Sequence, residues 1–365
     1  MTRPLRVLIA GGGTGGHLFP GMAIARELLR RRPDARVTFV GTAQGIESRA
    51  VPREGFELDT IRSLGLKGKS PVAVIKGIAT LPLSLWDASR VIARRAPDLV
   101  IGVGGYSSGP VVMLAALHGV KTMLHEQNAL PGLTNRWLAK VVTAAAVTFE
   151  STVPVFGAKA FVSGNPVRPA FLHTHDEPGG ARKVLVFGGS QGAHAINMAM
   201  VEAAPYLARA TPRLALTHQT GERDLRLVQE GYRAAGLDVR VEPFIQAMDE
   251  EMTSANVIVS RAGSTTLAEI AASGRAAILI PFPAATDDHQ RKNAQALAAA
   301  GAAELLDQRE LTGERLAERI LALVEDDARR AAMAQAVRAF ARPDAARVIV
   351  DRALALVEAP VQAEG

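Results

Sequence analysis

The 365-residue sequence contains no cysteine, few aromatic residues and no long uninterrupted apolar run. The absence of cysteine excludes both a disulfide framework and a thiolate metal site. Aromatic residues make up only 4% of the chain, so base-stacking platforms are not apparent and we expect no nucleic-acid partner. The longest apolar segment, residues 71–86, contains Lys76 and Pro82 and falls short of a transmembrane helix. The apolar run at residues 5–10 is too short for a signal peptide and predicts a first strand.

Positive charge is plentiful and unevenly placed. The formal net charge is +6, and between Arg62 and Arg95 the chain has seven Lys or Arg residues and one acid, Asp87, interleaved with leucine, isoleucine and Trp86. Such a segment is typical either of a helix with a solvated basic face or of a surface that docks on an anionic membrane. With stacking residues rare, a membrane surface is the better partner for this region, residues 64–95.

Short apolar runs alternate with helical patterns along the whole chain, and its length favours two domains. Continuous apolar strands separated by helices are typical of parallel sheets covered on both faces, which predicts an α/β fold. The predicted strands are residues 5–10, 36–40, 99–103 and 122–126 in the first half and residues 183–187, 213–217, 239–242, 256–260 and 276–281 in the second.

The two halves begin alike, since LIAGGGTGGH (8–17) and LVFGGSQGAH (185–194) are each an apolar strand followed by a Gly-rich turn. This predicts two doubly wound Rossmann-like domains facing a central cleft, with ligands beyond the carboxyl ends of the strands. We place the junction at residues 163–169 and expect an exposed loop at 173–180. The predicted domains are 1–164, 165–340 and a C-terminal helical segment, 341–365, that packs back on the first domain; its amphipathic helix is expected at residues 345–357.

The first Gly-rich turn, residues 11–16, satisfies the G-x-G-x-x-G pattern of dinucleotide-binding folds. That fold also needs an acidic residue about 20 positions further on to hold a ribose, and no carboxylate follows the second strand before Glu47. The turn is therefore either a packing turn or a place where a polar ligand meets the backbone. His17 would lie in the first helical turn, where the positive helix end disfavours the imidazolium, and this suits a general base.

The second Gly-rich turn, residues 188–192, offers backbone N–H groups and the Ser190 hydroxyl at a helix start, an arrangement suited to a diphosphate. It lacks the Gly-Lys-Ser/Thr ending of a P-loop, which argues against ATP hydrolysis. In the segment 260–269 a strand, a turn and a helix follow one another, and Glu269 could accept hydrogen bonds from a ribose diol or be a solvated helix residue. A packing role for either turn stays open on these residues alone.

Three further segments carry polar groups. In 281–293 we expect Asp287 and Asp288 to be helix-start residues and Gln290 to bind sugar hydroxyls, with no metal site because sequential ligands do not converge. Segments 104–110 and 125–128 lie at strand ends, which makes His125, Glu126 and Asn128 alternative acid–base or acceptor-binding groups. No G-x-S-x-G elbow or Ser-His-Asp order is present, so a serine hydrolase is unsupported.

Eight ordered sequence blocks, spread from about residue 6 to the helix after residue 290, resemble those of the MurG family of peptidoglycan N-acetylglucosaminyltransferases. They are GGGTGGHLFPGMA (11–23), GVGGYSSGP (102–110), HEQNALPGLTNRWLA (125–139), SGNPVR (163–168), FGGSQGAHAIN (187–197), HQTG (218–221), RAGSTTLAE (261–269) and PFPAATDDHQRKNA (281–294). The resemblance implies a GT-B fold and inverting, metal-independent transfer of GlcNAc from UDP-GlcNAc to the C4 hydroxyl of the MurNAc of undecaprenyl-diphosphate-MurNAc-pentapeptide (lipid I). It also implies no cofactor, peripheral attachment to the cytoplasmic face of the membrane through residues 64–95, and a place among other cell-wall synthesis and division proteins.

The resemblance further implies roles for individual residues. His17 is the expected base, with Glu126 as the alternative. The expected substrate-binding residues are Ile245 at the uracil, Glu269 at the ribose, Ser190 and Arg168 at the diphosphate, Ser264, Thr265, Thr266, Leu267, Ala268 and Gln290 along the sugar, and Thr14, Gly15, Gly16 and Asn128 on the acceptor side. Residues 264–266 are richer in hydroxyl groups than the usual family version, which would adjust sugar contacts. The alternatives are an NAD-dependent oxidoreductase, weakened by the missing acid, and a non-catalytic sugar-nucleotide-binding protein.

Overall fold

The computed structural model describes residues 3–63, 71–172, 182–210 and 213–358. Over these residues the chain divides into two compact units. Unit 1 contains residues 1–167 together with 342–365, and unit 2 contains residues 168–341. The loop that we expected at residues 173–180 lies outside the described residues.

Unit 1 is built on a seven-stranded, fully parallel sheet with the strand order β3-β2-β1-β4-β5-β6-β7. Its strands are β1 (Arg6–Gly11), β2 (Arg36–Gly41), β3 (Glu57–Thr60), β4 (Leu99–Gly104), β5 (Lys121–Glu126), β6 (Ala144–Val147) and β7 (Ala160–Val162). Its helices are α1 (Gly15–Arg31), α2 (Glu47–Arg53), α3 (Pro71–Arg95), α4 (Ser108–Leu117), α5 (Leu133–Leu138) and α6 (Val153–Phe156).

Unit 2 contains a six-stranded parallel sheet with the order β10-β9-β8-β11-β12-β13. The strands are β8 (Arg182–Phe187), β9 (Leu214–Gln219), β10 (Val239–Glu242), β11 (Val257–Ser260), β12 (Ala276–Leu279) and β13 (Glu304–Leu305). The helices are α7 (His194–Leu207), α8 (Leu225–Ala234), α9 (Met248–Ser254), α10 (Ser264–Ser273), α11 (His289–Ala299), α12 (Gly313–Glu325) and α13 (Asp327–Arg338), and the last helix of the chain is α14 (Ala345–Glu358).

Strand β1 shows why both faces of the first sheet are covered. Side chains alternate across a strand, so Val7 and Ile9 enter one apolar cluster while Leu8 and Ala10 enter another on the opposite face. The first cluster includes residues of α1 and α14, and the second includes residues of α3 and α4. A strand that is buried on both faces needs apolar residues at every position, which explains the continuous apolar runs in the sequence. The predicted fold of two doubly wound Rossmann-like domains is confirmed.

The last helix returns to unit 1. Ile349, Val350 and Ala353 of α14 are buried in the same cluster as the inner face of α1. At the rim of this contact Arg31 donates to Asp351 over 2.6 Å. The chain thus completes its first unit with its last helix, after it has passed through unit 2.

All nine predicted strands are present, with ends that shift by one or two residues. Four strands, β3, β6, β7 and β13, escaped prediction because they are two to four residues long. Strand β6 reads Ala-Ala-Ala-Val, a composition that does not favour a strand; packing between β5 and β7 imposes the conformation. No helix among the described residues has the length and hydrophobicity needed to span a bilayer.

Candidate functional site

The first Gly-rich turn joins β1 to α1 and packs closely against the turn that follows β4. Gly12 N donates to Gly104 O over 3.2 Å, and a side chain at Gly105, whose φ is +86°, would collide with the backbone of Gly12. On the other side, a Cβ on Gly11 would lie 2.5 Å from Gly104 O, so the close approach of the two backbones requires glycine on both sides.

A carboxylate from α2 lies inside this first turn. Glu47 is 1% exposed, and its side chain accepts hydrogen bonds from Gly13 N at 2.7 Å, Thr42 N at 2.8 Å and Thr42 Oγ1 at 2.9 Å. Burial raises the pKa of this carboxyl, but the N–H groups of Gly13 and Thr42 outweigh that effect and hold the pKa below its usual range. In a dinucleotide-binding domain a phosphate occupies such a turn, whereas here the protein supplies its own anion.

His17 lies in the first turn of α1, as predicted, and is half-buried. Its Nδ1 lies 3.2 Å from the Thr14 hydroxyl, and a Cβ on Gly104 would lie 2.6 Å from its Cδ2. The imidazole thus rests on the backbone at the end of β4. Thr14, Gly15 and Gly16 lead into the same helix turn, so the predicted acceptor-side residues of this loop and His17 are neighbours.

His125 lies near His17 but is fully buried. Burial lowers its pKa to about 4, so the ring is neutral at physiological pH. Nε2 lies 3.3 Å from Gly164 O and Nδ1 lies 3.1 Å from Gln127 Nε2. Because the carbonyl can only accept, the proton belongs on Nε2, and His125 links β5 to the end of unit 1 near Gly164.

Glu126 is also buried, and its two oxygens receive four hydrogen bonds. The donors are Asn128 N at 2.9 Å, Asn128 Nδ2 at 3.2 Å, Gly132 N at 3.2 Å and Asn135 Nδ2 at 2.8 Å. Burial raises the pKa of Glu126, while the four donors favour its charged form. This arrangement holds the loop after β5 and positions the half-buried Asn128.

The second Gly-rich turn, between β8 and α7, is open by comparison. Ser190 is exposed, and within the turn Gly192 N donates to Gly189 O over 2.9 Å. Side chains at Gly192 or Gly221, whose φ values are +71° and +75°, would collide with the neighbouring turn's backbone. The turns after β8 and β9 are therefore fixed against each other by backbone contact.

Gln219, the last residue of β9, connects this turn to the predicted uracil position. Its Nε2 donates to Gly189 O over 3.0 Å and its Oε1 accepts from Ile245 N over 2.7 Å. The residue before Gln219 is His218, and burial lowers its pKa to about 3. The neutral His218 ring is held between Tyr232 Oη at 2.7 Å and Asn197 Oδ1 at 3.1 Å. This buried network keeps the 218–221 turn rigid.

Glu269 lies in the second turn of α10 and is half-buried. Among the described residues no hydrogen bond to its carboxylate is found. Burial raises its pKa to about 7, and the nearby positive charge of Arg168 opposes the rise. Arg168 itself is exposed, with its guanidinium 4.8 Å from the Phe171 ring centre. A carboxylate in this state is ready to accept hydrogen bonds from a ligand.

Helix α10 begins at Ser264, directly after Gly263, and this N-cap residue has no side chain with which to cap the helix. Ser264, Thr265 and Thr266 form its first turn and Leu267 and Ala268 follow, with Leu267 buried. The start of this helix is therefore open to an anion or a polar group.

Gln290 lies in the first turn of α11, and its Oε1 accepts from Phe282 N over 2.9 Å, which leaves its Nε2 as the donor for a ligand. Asp287 and Asp288 directly precede α11, as we expected for helix-start residues, and both have left-handed backbones, with φ of +57° and +55°. Among the described residues no group of three or more His, Asp and Glu side chains is placed to hold a metal ion.

Arg261 was not singled out from the sequence. It is 9% exposed and donates to Ile280 O at 3.0 Å, Pro281 O at 3.1 Å and Gln308 Oε1 at 2.7 Å. Burial without a carboxylate partner lowers its pKa to about 10. This side chain ties the ends of β11 and β12 together and so supports the loop that leads to Gln290.

Comparisons with known proteins agree with this architecture. Residues 7–147 match the N-terminal domain of glycosyltransferase family 28, and residues 183–349 match its C-terminal domain. The UDP-N-acetylglucosamine–N-acetylmuramyl-(pentapeptide) pyrophosphoryl-undecaprenol N-acetylglucosamine transferase of Anaeromyxobacter dehalogenans is 45% identical over 97% of this chain and 93% of the relative.

Among solved structures, the crystal structure of Acinetobacter baumannii MurG has a TM-score of 0.79 and 30% identity, covering 96% of this chain and 99% of that one. The glycosyltransferase of kitacinnamycin has a TM-score of 0.71 at 18% identity, covering 96% and 100% of the two chains, and shows the fold alone. The two Rossmann-like units with their Gly-rich turns therefore define a glycosyltransferase of the GT-B class.

More narrowly, the chain belongs to glycosyltransferase family 28 and, within it, to the MurG family of N-acetylglucosamine transferases. The resemblance found in the sequence is thereby confirmed. The alternatives, an oxidoreductase and a non-catalytic binding protein, are not favoured.

Proposed function

We propose that this enzyme transfers GlcNAc from UDP-GlcNAc to the C4 hydroxyl of the MurNAc of lipid I, forming a β-1,4 link and releasing UDP. The observation that carries the proposal is the group around Glu269. A half-buried carboxylate without an internal hydrogen-bond partner among the described residues lies near Arg168 and one turn from the open start of α10. A ribose diol, a diphosphate and a sugar are the groups that such a site can bind together.

In this proposal unit 2 binds the donor. Glu269 accepts hydrogen bonds from both ribose hydroxyls, and Arg168 and Ser190 bind the diphosphate. Because Ile245 N already donates to Gln219, the Ile245 carbonyl is the backbone group that would accept from N3–H of uracil. The residues of the first two turns of α10 and Nε2 of Gln290 line the GlcNAc.

Unit 1 supplies the base and the acceptor-side contacts. His17 removes the proton from the C4 hydroxyl as that oxygen attacks C1 of GlcNAc. The bond between C1 and the diphosphate oxygen breaks with inversion, and the electron pair leaves with UDP. The charge that develops on the leaving diphosphate is stabilised by Arg168 and by the amides at the start of the unit 2 helices.

Two observations support His17 over Glu126 as the base. The His17 ring lies in the first turn of α1 and is half-buried, with its Nδ1 3.2 Å from the Thr14 hydroxyl, so part of the imidazole is accessible to a substrate. Glu126 is 1% exposed and already accepts four hydrogen bonds. Glu126 therefore positions Asn128, and Asn128, Thr14, Gly15 and Gly16 approach the acceptor.

We further propose that unit 1 attaches to the anionic inner face of the cell membrane through residues 64–95. Leu81, Leu83 and Trp86 of α3 are each more than 40% exposed, and Arg90 lies over the Trp86 ring at 4.9 Å. Apolar side chains beside guanidinium groups suit a lipid headgroup boundary. Other cell-wall synthesis and division proteins remain expected partners.

The test is one transfer assay with labelled UDP-GlcNAc, a lipid I analogue and a chelator. We expect labelled sugar in the lipid fraction at the same rate with and without chelator. The absence of transfer, or tight NADH binding without UDP binding, would overturn the proposal. Vesicles with and without anionic lipid test the attachment, and Trp86→Ala should weaken binding to the anionic ones.

A further inference from the structure

Glu47, the first residue of α2, places its carboxylate under the first Gly-rich turn. It meets that turn where glycine is required, since a Cβ on Gly12, Gly41 or Gly45 would collide with the Glu47 side chain. Three glycines from two connections, one after β1 and two from the end of β2 to the start of α2, thus make room for one buried carboxylate.

The groups that surround Glu47 are those of an anion site. Backbone N–H groups from two loops, Gly13 after β1 and Thr42 after β2, point at its oxygens together with the Thr42 hydroxyl. Converging backbone N–H groups form a concave site that suits an anion such as phosphate, here called the nest, and Gly13 N and Thr42 N converge in this way on one carboxylate. The nest is complete, but its anion is covalently part of the chain.

From this geometry we infer that Glu47 acts as a built-in substitute for a bound phosphate, which keeps substrate phosphates out of the first turn and positions His17 for proton transfer. Few contacts separate Glu47 from His17. Glu47 holds Gly13 N, the next residue is Thr14, and the Thr14 hydroxyl lies 3.2 Å from Nδ1 of His17.

As a consequence, the two Gly-rich turns have different roles in substrate recognition and catalysis. Diphosphate recognition is left to the turn at Ser190, since among the described residues no carboxylate is hydrogen-bonded to residues 188–192. The first turn is fixed in advance and presents an imidazole in place of a phosphate site. Glu47 is a positioning and specificity-determining residue and does not touch substrate itself.

Three variants of the full chain test the inference. Glu47→Ala empties the nest, Glu47→Gln fills it without charge, and Glu54→Ala is the control because Glu54 is an exposed glutamate at the end of the same helix, paired with Arg26. We expect kcat of Glu47→Ala to fall between about tenfold and a hundredfold, as for a misplaced catalytic group, with donor KM within about twofold. Glu47→Gln should lose about tenfold, and Glu54→Ala should match the wild type.

The decisive measurement is rescue by a free carboxylate. Sodium acetate, compared with sodium chloride at equal ionic strength, should raise both Tm and kcat of Glu47→Ala, because acetate binds only the folded protein's empty nest. Wild type and Glu47→Gln should not respond, since their nests are filled. The Tm readout does not depend on the proposed transfer activity, whereas the kcat readout does.

The results separate the possible failures. An acetate effect on Tm with no transferase activity in the wild type would sustain the filled nest and refute the proposed function. If both Glu47 variants keep kcat within about twofold of wild type, or if acetate and chloride act alike on Glu47→Ala, the inference is wrong. Should Glu47→Ala fail to fold, the kcat of Glu47→Gln decides alone.

Discussion

The two Gly-rich turns have similar sequences but differ in what lies against them. The turn after β1 encloses the Glu47 carboxylate, which is 1% exposed, while the turn after β8 leaves Ser190 exposed to solvent. Both turns are backed by a second turn at van der Waals distance, after β4 in unit 1 and after β9 in unit 2. A Gly-rich pattern therefore specifies close backbone packing, and the side chains that converge on it decide whether an anion can bind.

The largest effect should come from the first turn. His17→Ala is expected to lower kcat by about a hundredfold to ten-thousandfold, the usual contribution of a general base, with little change in donor KM. Steady-state kinetics with both substrates measures this. A kcat close to wild type would remove His17 as the base and break the contrast between a catalytic first turn and a binding second unit.

Unit 2 should respond in the other kinetic constant. Glu269→Ala removes charge-assisted hydrogen bonds to the ribose and should raise the UDP-GlcNAc KM by about tenfold to a hundredfold. Its kcat should change much less, and UDP binding measured by calorimetry should weaken in parallel. An unchanged KM would show that the ribose lies elsewhere.

The same residue predicts a pH dependence. The pKa of Glu269 is raised to about 7 by burial, so lowering the pH from 8 to 6 protonates it and should raise donor KM by about tenfold. In the absence of donor, the folded protein favours the protonated form of Glu269. Its contribution to stability is therefore fully present below the ordinary pKa of glutamate and is lost as the pH rises from that pKa through about 7. Glu269→Gln should abolish both dependences in that window, which pH-dependent KM and Tm measurements would reveal.

Ser190→Ala should give the smallest effect. One neutral hydrogen bond to a diphosphate contributes about 1 kcal/mol, and the backbone N–H groups of the turn remain, so donor KM should rise by less than about tenfold. Thr14→Ala in the first turn is the matched hydroxyl deletion and should alter kcat instead. If both variants changed the same constant, the two turns would not differ in role.

Much of the candidate site could be predicted from the order of its motifs. His17 in unit 1 and Ser190, Glu269 and Gln290 in unit 2 follow strand ends, and within each unit a parallel sheet brings such segments to one edge. The missing acid after β2 correctly weakened the dinucleotide interpretation. The reason that the structure adds, a carboxylate already inside the turn, could not be predicted, since Glu47 follows the second strand as an ordinary helix-start residue.

Other omissions have the same cause. Gln219 and Arg261 act through hydrogen bonds to carbonyls and amides of loops that are distant in sequence, and no spacing signals such contacts. Glu126 was the alternative base on sequence alone, and the four donors around its carboxylate become visible only in the structure. The short strands β6 and β7 were missed because neighbouring strands, not local propensity, impose their conformation.

The sequence by itself determined the two parallel sheets, the repeated strand–turn–helix start and the family, because apolar periodicity and ordered motifs are local properties. Only the tertiary structure decided which Gly-rich turn encloses a carboxylate, and that Glu126 accepts four hydrogen bonds whereas no described residue donates one to the Glu269 carboxylate. Those outcomes depend on buried hydrogen bonds between segments far apart in the chain, and on the change in pKa that burial causes. Such effects exist only once the sheets have brought the segments together.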